Sequence, residues 1–121
     1  MNSSANHKRI VMENLNGVLF CDAVMKDEFA ITDVYLIRDK INTDFAGKSD
    51  VILRRVHSYS VAFDAQALLH EGVPEINNFV YVVNDEMKKE SAEFAASSYM
   101  KRYNTKVVMT KEEALKVLQI V

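Results

Sequence analysis

The run Phe79-Val80-Tyr81-Val82-Val83 is short, apolar and rich in β-branched and aromatic residues, and it reads as a buried strand. A polar segment with helical spacing follows from Asn84 to Asn104. Lys106-Val107-Val108-Met109 then reads as a second strand and Thr110 to Val121 as a closing helix. Two consecutive strands joined by a helix-length crossover are most economically parallel neighbours with a right-handed connection. Asn78 to Val121 therefore points to an α/β sheet.

Upstream, Arg9-Ile10-Val11-Met12-Glu13-Asn14 and Val18 to Ala23 read as two strands around Asn16-Gly17, a dipeptide that accepts positive φ at both turn positions. An antiparallel hairpin is expected there, with Met25 to Ala30 as a connection. A helix capped by the Thr32 hydroxyl is expected to run to about Phe45, where Gly47 stops it. Val34, Ile37, Ile41 and Phe45 form its core stripe, and Leu36 falls on the other side. Ser49 to Arg55 reads as a third strand, His57-Ser58-Tyr59-Ser60 as the loop leaving it, and Asp64 to Glu71 as a short helix ended by Gly72. Ala65, Leu68 and Leu69 should form the buried side of that helix. In the next helix Ala92, Ala95, Ala96, Tyr99 and Tyr103 share one face, while Met87 and Phe94 point the other way. Thr110 and Glu113 have the spacing of a capping box, and Ala114, Val117, Leu118 and Val121 supply the last buried stripe. The expected fold is a mixed sheet of about five strands with four helices: an N-terminal antiparallel hairpin, then parallel strands.

The totals are those of one compact domain. The chain has 121 residues, 49% hydrophobic and 26% charged, and no apolar run long enough to span a bilayer. Residues 1–8 read as a flexible polar leader and 9–121 as the domain; the leader lacks the apolar core of a secretory signal, so a cytoplasmic protein without membrane insertion is expected. Fifteen basic residues against 17 acidic ones lack the basic excess of a nucleic-acid binder. The single cysteine, Cys21, allows no internal disulfide and reads as a buried, inert thiol.

The order of elements, and the closing segment Lys106-Val107-Val108-Met109-Thr110-Lys111-Glu112-Glu113-Ala114-Leu115-Lys116-Val117-Leu118, resemble the STAS-type fold of anti-sigma-factor antagonists, in its SpoIIAA-like branch. The resemblance covers most of the chain. In those antagonists a phosphorylatable serine follows an aspartate at the start of the second helix, where backbone N–H groups can hold the phosphate. Here the segment is Phe63-Asp64-Ala65-Gln66. Asp64 matches the aspartate, but Ala65 has no hydroxyl, so that switch does not transfer. The resemblance implies a regulatory or protein-interaction module that binds a protein partner or a second copy of itself as a homodimer.

Little in the chain suggests catalysis. A hydrolase would need His57 beside Ser58 or Asp64, with neither a nucleophile elbow nor a glycine-framed serine to support it. Three glycines form no phosphate-binding loop, and His7, His57 and His70 do not have metal-ligand spacing; no enzyme activity, metal or cofactor is expected. His70 is explained by the dipole at a helix C-terminus, Ser58 and Ser60 as ordinary turn residues, and Arg54 and Arg55 as solvated rim residues. In open α/β sheets ligands gather beyond the carboxyl ends of the parallel strands. That edge should collect His57, Ser58, Tyr59, Ser60 and Asp64 after the third strand, Asn84 and Asp85 after the fourth, and Thr110 and Lys111 after the fifth. Met87 and Phe94 are the expected interface. The alternative is a small-ligand or lipid-binding domain, which requires a sizeable apolar cavity near the strand ends.

Overall fold

A computed structural model describes residues 9–57 and 59–118. Strands β1 (Ile10–Leu15) and β2 (Val18–Ala23) pair antiparallel from Ile10 opposite Ala23 to Leu15 opposite Val18. The turn between them has Asn16 at φ 53° and Gly17 at φ 88°, the positive values that a two-residue hairpin turn needs. There follow β3 (Glu28–Phe29), α1 (Ile31–Asp44), β4 (Ser49–Arg55), β5 (Ser60–Val61), α2 (Phe63–Glu71) and β6 (Ile76–Val82). The chain continues through α3 (Glu86–Ser97), a 3₁₀ turn (Lys101–Tyr103), β7 (Lys106–Val108) and α4 (Lys111–Val117).

The main sheet has the order β1-β2-β4-β6-β7, with β2, β4, β6 and β7 mutually parallel. Among the described residues the fold is the expected α/β arrangement: a mixed five-stranded sheet and four helices. Its central strands are buried on both faces, which is why their sequences are nearly continuous apolar runs. Leu19, Cys21, Val51, Leu53, Phe79 and Tyr81 join Val34, Ile37 and Ile41 of α1, Ala65 and Leu69 of α2, and Ala92 and Ala95 of α3 in the larger core. Val18, Phe20, Ile52, Val80 and Val82 turn to the other face and pack with Ala114 of α4. Three helices therefore cover one face and one covers the other.

Several expectations need correction. The connection from Met25 to Ala30 contains β3, which pairs with β5 in the supposed loop after β4. Two-residue strands carry too little periodicity to be seen. The N-cap of α1 is Ala30, not Thr32; the carboxylate of Asp33 accepts the Ala30 N–H at 2.7 Å and does the capping. Phe45 and Leu68 are half-buried at the margin of the core. The polar stretch from Asn84 to Asn104 is not one helix. The Ser98 hydroxyl donates to the Phe94 carbonyl at 2.6 Å as α3 ends, and Asn104 takes a left-handed conformation at φ 56° after the 3₁₀ turn. Serine hydroxyls that bond the preceding turn compete with the helical ladder in this way. In α4 the Thr110–Glu113 capping box forms, but Val117 is 42% exposed instead of buried. Val121, like the leader 1–8 and Ser58, lies outside the described residues.

Candidate functional site

Of the nine residues expected at one sheet edge, five fall in two separate sites. Asn84, Thr110 and Lys111 line a groove of about 520 Å³ beyond the carboxyl ends of β4, β6 and β7, together with Arg54, Arg55 and Glu112. Tyr59 and Ser60 instead line a cleft of about 170 Å³ between α2 and α3, which Arg55 also reaches. Asp64 lies exposed in the first turn of α2, and His57 is half-buried outside both sites. Among the described residues His57 and Asp64 share no hydrogen bond. Ser58 is outside the described residues, so the arrangement expected of a hydrolase has no geometry to report.

The groove is built by ion pairs that hold its walls. Arg54 donates Nε and Nη2 to the two carboxylate oxygens of Asp22, at 2.6 and 3.0 Å, which joins β4 to β2 and raises the Arg54 pKa above its ordinary value. Its guanidinium and the Lys111 ammonium both lie over the Phe20 ring, 5.2 and 4.5 Å from the centroid. Lys88 reaches back from α3 to the Asn84 side-chain oxygen at 2.8 Å and to the Val56 carbonyl at 3.3 Å. Asp85 is a cap, not a lining residue: its carboxylate accepts the Lys88 backbone N–H at 2.8 Å, and that bond holds its pKa below the usual carboxylate range.

The cleft has a different character. Tyr59, Tyr81 and Tyr99 line it beside Gln66, Ser91 and Phe94. Burial pushes all three phenols above their ordinary pKa, so they stay neutral at physiological pH. Arg55 stacks on the Tyr59 ring at 4.4 Å and donates from Nη2 to the Tyr59 carbonyl at 2.6 Å. It is no solvated rim residue. Its Nε is buried and has no hydrogen-bond partner among the described residues. The sequence signal for this site was the pair Arg54-Arg55 at a strand end; alternation sends one guanidinium to each face of the sheet.

Inward of the cleft, between Phe29, Leu69 and Phe79, the core leaves only about 10 Å³, room for little more than a water. Cys21 is fully buried, and desolvation raises its thiol pKa, which makes it unreactive. On the outer surface Met87 and Phe94, separated by two turns of α3, are 84% and 70% exposed, and Phe63 at the start of α2 is 87% exposed. Among the described residues no three His, Cys, Asp or Glu side chains form a metal-binding group, and no helix is long and apolar enough to cross a membrane. No protein-family model, curated protein or solved structure matches this chain.

Proposed function

We propose that this chain is a non-enzymatic, cytoplasmic STAS-like module that works by docking a protein partner on the outer face of α3. The resemblance in element order supports this reading, and the exposure of Met87 and Phe94 on one side of α3 carries it. Large apolar side chains held in water are costly, and a paired set of them on one helix face is characteristic of a contact surface. Glu90 sits on the same face, three residues after Met87 and four before Phe94, and has no ion pair among the described residues. A second copy packed symmetrically on this face would bring Glu90 against Glu90. A partner that sets a lysine or arginine between two apolar side chains satisfies all three positions, so we favour a different protein over self-association. With Ala65 in place of a serine, such a module is not switched by phosphorylation at that position.

The test is cross-linking of the full chain in cell lysate with identification of the captured protein, repeated with Phe94→Ser and Glu90→Lys. Both residues are exposed, so neither change should lower the melting temperature. A specific partner lost in both variants supports the proposal. A chain that is monomeric by light scattering and captures nothing specific, or captures the same protein when altered, refutes it. Between Phe29, Leu69 and Phe79 the described apolar interior leaves about 10 Å³, which favours protein docking over the small-ligand or lipid-binding alternative with its sizeable apolar cavity.

A further inference from the structure

Three arginines of this chain face carboxylates. Arg9 grips Asp33 through Nε and Nη2, Arg54 grips Asp22 in the same way, and Arg38 reaches Asp39. Arg55 is held as firmly, by the Tyr59 carbonyl and by stacking on the Tyr59 ring, yet it has no acid partner among the described residues. Its Nε–H is buried and has no acceptor among the described residues. A buried guanidinium donor without an acceptor is expensive, and such a group usually marks a place for a water, an ion or a ligand. Among the described residues the cleft of about 170 Å³ that Arg55 lines has no aspartate or glutamate; its other polar groups are phenols, serine hydroxyls and the Gln66 amide. It therefore holds one fixed positive charge, neutral hydrogen-bonding groups, and aromatic surface.

We propose that this cleft binds a small organic carboxylate, an aromatic or short-chain acid whose carboxylate pairs with the Arg55 guanidinium and whose apolar body lies against Tyr59, Tyr81 and Phe94. A carboxylate fits better than a phosphate. A planar monoanion suits a single guanidinium, whereas a phosphate dianion needs more positive charge than the cleft offers; Arg54 and Lys111 line the strand-end groove instead. Arg55 fixes the charged end, and the phenols and Gln66 offer hydrogen bonds to further polar groups of the ligand. Phe94 borders both this cleft and the docking face of α3, whereas Arg55, Tyr59 and Tyr81 belong to the cleft and not to that face.

The experiment is a titration of the full chain, followed by amide NMR shifts, with benzoate, 3-phenylpropanoate and hexanoate, and with benzamide and inorganic phosphate as controls. At least one acid should give saturable shifts centred on Ser60, Gln66 and Ser91, and benzamide should bind at least tenfold more weakly. Arg55→Gln should weaken the acid at least tenfold. Ser91→Trp, a change at an exposed position on the cleft rim, should do the same by obstruction, and it keeps the test decisive if the Arg55 variant folds poorly. The proposal is overturned if none of the acids binds, which would leave water as the partner of Arg55. It is equally overturned if Ser91→Trp leaves affinity unchanged, if phosphate binds as well as the acids, or if the shifts map to Lys111 and the strand-end groove.

Discussion

Arg9 holds the carboxylate of Asp33 with two parallel bonds, Nε to Oδ1 and Nη2 to Oδ2, both 3.0 Å. Arg9 immediately precedes β1, and Asp33, which is fully buried, lies in the first turn of α1. The same carboxylate caps Ala30, and the same guanidinium donates to the Glu28 carbonyl at 2.5 Å. One ion pair thus ties the sheet edge, β3 and the start of α1 together. The charge of Asp33 is tolerated without water because three hydrogen bonds replace its hydration.

Removing one partner should therefore cost more than the pair itself is worth. Arg9→Met is expected to lower stability by about 3 kcal/mol in urea denaturation, since it leaves a buried carboxylate uncompensated. Asp33→Asn should cost less, because the amide oxygen can still cap Ala30 while the partly exposed guanidinium turns to solvent. The double variant should lose clearly less than the sum of the two losses. Additive losses would show that the two side chains do not act as a pair.

The backbone at Gly72 supplies a second prediction. Gly72 closes α2 at φ 109°, donating its N–H to the Leu68 carbonyl at 3.1 Å. A Cβ there would lie 2.9 Å from Cδ of Arg102, whose Nε donates to the His70 carbonyl at 3.1 Å. Gly72→Ala should cost about 1 to 3 kcal/mol, because L side chains rarely adopt this backbone conformation. The Arg102 side chain can move, so steric relief should rescue little. Comparing Gly72→Ala/Arg102→Ala with Arg102→Ala by thermal unfolding separates the two causes: a persistent loss assigns the cost to the backbone, and full rescue assigns it to the clash.

The parts of this fold legible in the sequence are those where a physical pattern repeats over several residues. The β6 run, the Asn16-Gly17 turn, the α1 stripe and the Thr110–Glu113 box each state their structure locally. What escaped is non-local. Asp33 acts as a cap only because Arg9, 24 positions earlier, is brought to it. Tyr103 was legible as a core residue, but nothing nearby indicates that its hydroxyl donates to the Leu69 carbonyl at 2.6 Å and accepts the Val73 N–H at 2.8 Å. The grouping of residues beyond the strand ends was half legible for the same reason. Strand ends bring Asn84, Thr110 and Lys111 together by topology, whereas the β3–β5 pairing draws Tyr59 and Ser60 toward α2 and α3, and two-residue strands leave no periodic trace.

Asp85 gives a pH-dependent prediction whose sign follows from its depressed pKa. In the folded chain its carboxylate accepts the Lys88 N–H and has the Lys88 ammonium 3.5 Å away; the backbone bond is the larger cause of the lowered value. The unfolded chain lacks both, so between the folded and the ordinary carboxylate pKa it binds more protons than the native state. Asp85 therefore stabilises the fold fully above the ordinary carboxylate range, and this contribution is lost as pH falls through the folded value. Asp85→Asn keeps an oxygen for the cap but does not titrate. Wild type should be the more stable of the two at neutral pH, and the gap in melting temperature should close on acidification, since the other carboxylates titrate alike in both proteins. A gap that stays constant from neutral to strongly acidic pH would show that the charge of Asp85 contributes nothing at the α3 N-terminus.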